Sequence, residues 1–187
     1  KLRADVALAD MSSDYAVFAG GRSPATWASD AGTEVVFKDP RSHDMGYRVL
    51  VRASAADGTA TNANGADYDA LRVALCIPEG GLDYDFGDAY PHEANFDLHN
   101  GVSFTKGCYV GQEIVSRMQN KTVVRKRIVT VTSDDLLTRG ADIRLGDVTI
   151  GRVGTVDGRH ALAMLRLDRA VEAHDKGVVL TAAGVEI

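Results

Sequence analysis

Apolar positions along this chain come in short bursts broken by polar turns, and the spacing within the bursts changes from one part to the next. In the first 58 residues, Asp5 to Ala9, Tyr15 to Phe18, Glu34 to Phe37 and Tyr47 to Arg52 are β-branched and aromatic runs of strand length. Ser23-Pro24 pairs an N-cap with a proline at the first helical position, and Gly32 supplies a stop, so a helix carrying Trp27 as core packing is expected between the second and third strands. The order ββαββ implies an antiparallel sheet with a helix on one face.

The stretch Ala55 to Asn64 is small and polar and reads as a linker or turn. Asp67 to Ile77 follows as a helix with Leu71, Ala74 and Leu75 on one face, ending before Pro78. Residues 79 to 105 have no clear period, which suits a binding loop. Gln112 to Met118 reads as a short helix with Ile114, Val115 and Met118 toward a core and Gly111 near its start. Beyond it lie the strand-like runs Ile128 to Thr132, Asp147 to Ile150, Arg152 to Val156, His160 to Leu167 and Val178 to Thr181. Asp157-Gly158 is placed for a type I′ hairpin, and such a succession of short strands favours a small antiparallel barrel. The expected organisation is therefore α+β, with parts at 1–58, 59–121 and 122–187.

Within 187 residues, 45% are hydrophobic and 25% charged, an ordinary folded composition. No apolar run reaches the roughly 20 residues of a membrane span, and no signal pattern opens the chain, which together predict a cytosolic protein without a membrane partner. The opening Lys1-Leu2-Arg3, without Met, reads as the start of a fragment. A net charge of −5 argues against direct nucleic-acid binding. The charge is uneven: Val73 to Thr105 carries acids and no Lys or Arg, while Ile114 to Ser133 carries Arg117, Lys121, Arg125, Lys126 and Arg127 and no acid. Such a basic stretch is either a solvated face or a seat for a polyanion.

The candidate chemistry centres on Lys106-Gly107-Cys108-Tyr109-Val110-Gly111-Gln112-Glu113. A cation two residues from a thiol favours thiolate, and flanking glycines let the backbone approach a ligand. Cys76, within an apolar run, fits instead a small buried hydrophobe. The five histidines are dispersed and no Cys-x-x-Cys or His-x-x-x-His spacing occurs, so no resident metal is expected. A lone cysteine can still be one ligand of a transient iron–sulfur cluster completed by a partner or thiol.

Pro91-His92-Glu93-Ala94-Asn95-Phe96-Asp97, followed by Gly101 to Glu113, resembles the paired signature of the YgfZ-type folate-binding proteins, relatives of the aminomethyltransferase of the glycine cleavage system. Arg117, Lys126 and Arg127 also match basic positions of that family. The resemblance is close over residues 66 to 187 and loose over 1 to 58. It implies a ferredoxin-like first region, a C-terminal β-barrel, tetrahydrofolate as cofactor, and a role in iron–sulfur cluster assembly or repair with an indirect effect on tRNA modification. Partners would be assembly proteins or client enzymes. A folate-dependent one-carbon transferase of unknown substrate is the alternative, and whether the chain is an enzyme stays open.

A pterin edge offers an N–H beside an amine, which a carboxylate accepts together, and Glu93 suits that role. Asn95 could add an amide contact or form an Asx turn, and Tyr109 could stack on a ligand or belong to the core. With the family's pattern, Cys108 and Lys106 become the reactive pair, and Glu93, Asn95, Tyr109, Gln112, Arg117 and Arg127 the folate-binding set.

Overall fold

The computed structural model describes residues 6–21, 32–59, 64–121 and 123–187. The chain divides into two compact units, 1–63 and 64–187.

In the first unit, β1 (Tyr15–Gly20), β2 (Thr33–Lys38) and β3 (Tyr47–Arg52) form an antiparallel sheet in the order β1-β3-β2, followed by the short helix α1 (Ala56–Thr59). The central strand buries Val49 and Val51 against Phe18, Val36 and Ala55. Asp39 is buried after β2 and takes the guanidinium groups of Arg41 and Arg48 at 2.7 and 2.8 Å. The expected strand at Asp5 to Ala9 does not form over its described residues. Val6 and Leu8 stay exposed there, and no strand among the described residues pairs with them. Among the described residues the sheet thus has three strands, where ββαββ called for four. The expected helix with Ser23, Pro24 and Trp27 lies outside the described residues. Part of the presumed linker is helical, as α1 and the 3-10 turn before it.

The second unit begins with α2 (Gly65–Ala74), capped by the Asn64 side chain, which accepts from the Ala66 amide at 3.1 Å. A turn-rich segment leads to α3 (Gln112–Asn120). Then come β4 (Lys126–Thr132), β5 (Asp142–Leu145), β6 (Val148–Asp157), β7 (His160–Arg166), α4 (Leu167–Asp175), β8 (Thr181–Ala182) and β9 (Val185–Glu186). The six strands pair antiparallel in the order β4-β7-β6-β5-β8-β9. No pairing joins β9 back to β4 among the described residues, so the small antiparallel barrel expected here does not close. With only two residues each, β8 and β9 offer too short a ladder to close it. Register shifts in the β5–β6 and β6–β7 pairs bend the sheet.

β7 is apolar on both faces. Ala161, Ala163 and Leu165 join Ile143, Ile150 and Val153 in one core, while Leu162 packs with Ile128 and Val73 of α2 in another. Burial on both sides explains the near-continuous apolar run of this strand. β6 runs unbroken through Gly151, where the sequence pattern suggested two strands; a Cβ there would sit 2.5 Å from the Met164 carbonyl, so only glycine lets the strands approach. The β6–β7 turn is Gly158-Arg159, one residue later than expected. Asp157 pairs with His160, and Gly158 (φ 60) takes the first turn position, as in a type II′ hairpin. The run at 160–167 ends as a strand at Arg166 and continues as α4, which the alternation did not reveal.

α2 is anchored by a charge at its buried face. Arg72 and Val73 point inward, while Ala74 is exposed and Leu71 only half-buried, which corrects the expected face. Arg72 is fully buried and donates to Asp83 (2.9 Å), Asp69 (2.7 Å), Thr155 (3.0 Å) and the Ile77 carbonyl (3.2 Å). Asp83 in turn accepts from the amides of Thr155 and Glu79. Helix, loop and β6 are thereby joined through one satisfied polar cluster.

Candidate functional site

Residues 90 to 101 fold into successive tight turns: the Phe96 amide donates to the Pro91 carbonyl (2.9 Å) and the Gly101 amide to the Phe96 carbonyl (2.7 Å). This compact segment presents Glu93 outward and pulls Asn95 inward. Asn95 is fully buried in left-handed conformation, φ 61. Its amide donates to the carbonyls of Ile128 (3.0 Å) and Cys76 (3.3 Å), and its oxygen accepts from Arg127 (3.2 Å). Arg127 also grips Asp97 with two parallel bonds, 3.0 and 2.9 Å. Burial by itself would raise the Asp97 pKa, but the Arg127 guanidinium outweighs it and holds the carboxyl below its ordinary value. Two of the six residues assigned to folate contact, Asn95 and Arg127, therefore spend polar atoms bracing this segment against β4.

Glu93 faces a different environment. Its backbone carbonyl accepts from the Ile128 amide (2.8 Å), while one carboxylate oxygen accepts from the Tyr90 amide (3.0 Å) and lies 3.8 Å from the Lys126 ammonium. The other oxygen has no hydrogen bond within the described residues. Glu93 lines a cleft of about 640 Å³, whose apolar wall includes Tyr90, Ile114 and Met118 and whose cations are Arg117, Lys121 and Arg125. None of those three cations forms an ion pair among the described residues, in contrast to Lys126 and Arg127.

α3 lines this cleft and also positions the thiol. Gly111 (φ 88) is its N-cap, a left-handed geometry that glycine adopts without strain. Val115 is buried and Met118 half-buried, but Ile114 is exposed along the cleft and not in the core. Gln112 reaches back across the turn, accepting from the Tyr109 amide (2.9 Å) and donating to the Cys108 sulfur (3.5 Å). Cys108 is exposed, whereas Cys76 is half-buried with its sulfur 3.7 Å from the Ile128 carbonyl. The Lys106 ammonium lies over the Tyr109 ring, 4.4 Å from its centroid, and its backbone amide donates to the Ser103 hydroxyl. Tyr109 is half-buried under that lysine. Thus Glu93 and Arg117 share the cleft, Cys108, Lys106, Tyr109 and Gln112 cluster at the start of α3, and Asn95 and Arg127 stand behind as support.

Two further buried side chains hold the second unit together. His92 is buried, with Nε2 3.0 Å from Oε1 of Gln119 on α3 and its ring 6.1 Å from that of Phe104. Arg72 is the other, foreshadowed only by its i, i+3 spacing from Asp69.

Comparison with known proteins now bears on this geometry. Residues 125–187 match the family described as CAF17, C-terminal beta-barrel domain. The chain is also 40% identical over 139 residues to the iron–sulfur cluster assembly factor IBA57 homolog, mitochondrial, of Mycosarcoma maydis, covering 71% of this chain and 33% of that protein. The mouse and human mitochondrial IBA57 proteins are 38% and 37% identical, over 68% and 70% of this chain and 36% and 39% of theirs. The chain spans about a third of the length of these curated relatives. The similarities support a relation to the CAF17 and aminomethyltransferase-like family and to iron–sulfur assembly, without singling out the YgfZ type. They also overturn the cytosolic expectation: the relatives are named as mitochondrial, a destination that composition and the absence of a signal pattern do not encode. No helix of the described residues is long and apolar enough to cross a membrane.

Proposed function

We propose that this chain acts in mitochondrial iron–sulfur cluster assembly, with Cys108 as its working thiol and tetrahydrofolate held in the Glu93 cleft. The similarity to named assembly factors supports the process. The observation that carries the role of Cys108 is its placement: an exposed sulfur, held by Gln112, at the start of the helix that lines the cleft. Among the described residues no group of three or more His, Cys, Asp or Glu could hold a metal ion. One thiolate supplies one cluster ligand, so a cluster handled here draws its other ligands from an assembly protein, a client or a small thiol.

The cleft residues fit the folate proposed for them. Its volume falls within the roughly 300–1,000 Å³ of small-molecule sites. The spare oxygen of Glu93 would accept from a pterin edge, Tyr90, Ile114 and Met118 would cover an aromatic body, and Arg117, Lys121 and Arg125 would suit a glutamate tail. When bound, tetrahydrofolate supplies one-carbon chemistry; Glu93 orients its ring and the cations neutralise its carboxylates. Effects on cluster-dependent tRNA-modifying enzymes would follow indirectly, through cluster supply.

Complementation tests the reading. Cells lacking the full-length protein are supplied with wild type or Cys108→Ser, and the activity of a cluster-dependent mitochondrial enzyme is measured. The variant, altered only at an exposed atom, is expected to accumulate normally and fail to restore activity. Restoration to the wild-type level removes the thiol from the mechanism.

A further inference from the structure

The PHEAN turn and the Cys108 loop are separate in sequence, yet one buried side chain touches both and the helix between cleft and thiol. His92 is 1% exposed and immediately precedes Glu93. Its Nε2 lies 3.0 Å from Oε1 of Gln119, in the last turn of the helix whose first residue, Gln112, holds the sulfur. Its ring faces Phe104, two residues before Lys106, at a 48° tilt. The ring's Nδ1 is buried with no hydrogen-bond partner among the described residues. An unpaired buried nitrogen is costly, and an apolar side chain would fill the space without that cost. What histidine supplies and phenylalanine cannot is the Nε2 bond to α3.

We infer that His92 is a positioning residue: through Gln119 and Phe104 it fixes α3 and the Cys108 loop against the Glu93 turn and so sets where the thiol stands relative to the cleft. Without this pin the helix keeps its buried Val115 and half-buried Met118 as anchors, but the bond that fixes its end against the Glu93 turn is gone. The loop then samples more positions, and the Gln112 amide shields the sulfur for less of the time. His92 itself touches neither ligand nor reacting atom. The inference rests on Cys108 being the working thiol.

The test is the rate of Cys108 alkylation by iodoacetamide in the folded full-length protein, with Cys108→Ser defining the signal from other thiols and thermal unfolding measured alongside. His92→Phe keeps the ring against Phe104 and loses the bond; Gln119→Leu loses it from the other side. Each is expected to raise the rate about fivefold, the factor set by one net hydrogen bond of ordinary strength. Together they should give no more than either alone. His92→Gln places an amide nitrogen near the Nε2 position and should return the rate to that of wild type, whereas His92→Asn, which reaches only as far as Nδ1, should not. Wild-type alkylation rates in both His92→Phe and Gln119→Leu, or rates in His92→Gln as high as in His92→Phe, overturn the inference and leave His92 as packing alone. Failure of the broader reading is distinguishable, since it appears as cluster assembly restored by Cys108→Ser whatever these rates are.

Discussion

Replacing Asn95 with alanine separates bracing from ligand contact, because the structure prescribes which atoms lose partners. The Cys76 carbonyl retains a donor in His99 Nε2 at 2.9 Å, and Arg127 retains both bonds to Asp97. The Ile128 carbonyl loses its shortest donor, the amide at 3.0 Å, and keeps only the weak Cys76 thiol at 3.7 Å. An under-satisfied buried carbonyl costs about 1–3 kcal/mol. Alanine at φ 61 adds about 1–2 kcal/mol of backbone strain that asparagine tolerates better. The expected loss is therefore about 2–5 kcal/mol, read as a fall in the urea midpoint without a change in slope. Asn95→Gly removes the strain and should recover about 1 kcal/mol of it. Tetrahydrofolate affinity, measured by titration well below the unfolding transition, should stay within twofold of wild type in Asn95→Ala and fall at least tenfold in Glu93→Ala. Unchanged stability with weakened binding in Asn95→Ala would refute the reasoning and return that amide to the ligand.

Two further outcomes follow from the charges of the second unit. Arg72→Met leaves Asp83 buried without its cation and should cost about 3–5 kcal/mol in urea unfolding; a loss under 1 kcal/mol would mean the cluster contributes little. Asp97 has a depressed folded pKa, so the unfolded state binds the proton more readily and the Arg127 pair stabilises fully only above the unfolded carboxyl range near pH 4. The stability gap between wild type and Asp97→Asn should be flat from about pH 5 to 7 and shrink as pH falls below about 4. A gap independent of pH throughout would show that the pair is not linked to protonation.

What could be read from the sequence was what local patterns carry. Tyr47 to Arg52 reads as a strand because it is a short β-branched and aromatic run, and Gly111 announces the start of α3 because the chain needs a left-handed residue there. The PHEAN and KGCYVGQE signatures located a segment that the structure does gather around one helix. Three features escaped for the same reason: their partners are distant along the chain. Arg72 sits on the buried face of α2 because Asp83 and Thr155 wait there, and hydrophobicity alone turns that face toward Leu71 and Ala74. Gly151 looks like a strand break until the Met164 carbonyl is seen pressing on it. Asn95 passes for a ligand contact because an amide flanked by Glu and Asp gives no sign that carbonyls from β4 and from the end of α2 will claim it.

The seam between α2 and the sheet has a practical corollary. The segment recognised as a CAF17-type domain begins at residue 125, yet Ile128 and Leu162 are sealed by Val73, and the Thr155 amide is satisfied by Asp83, both from upstream of that boundary. A polypeptide cut at 125 would carry a wet greasy stripe and an orphaned amide on its outer side. Expression boundaries for biophysical work therefore belong before Asn64, whose side chain starts the helix that closes the stripe.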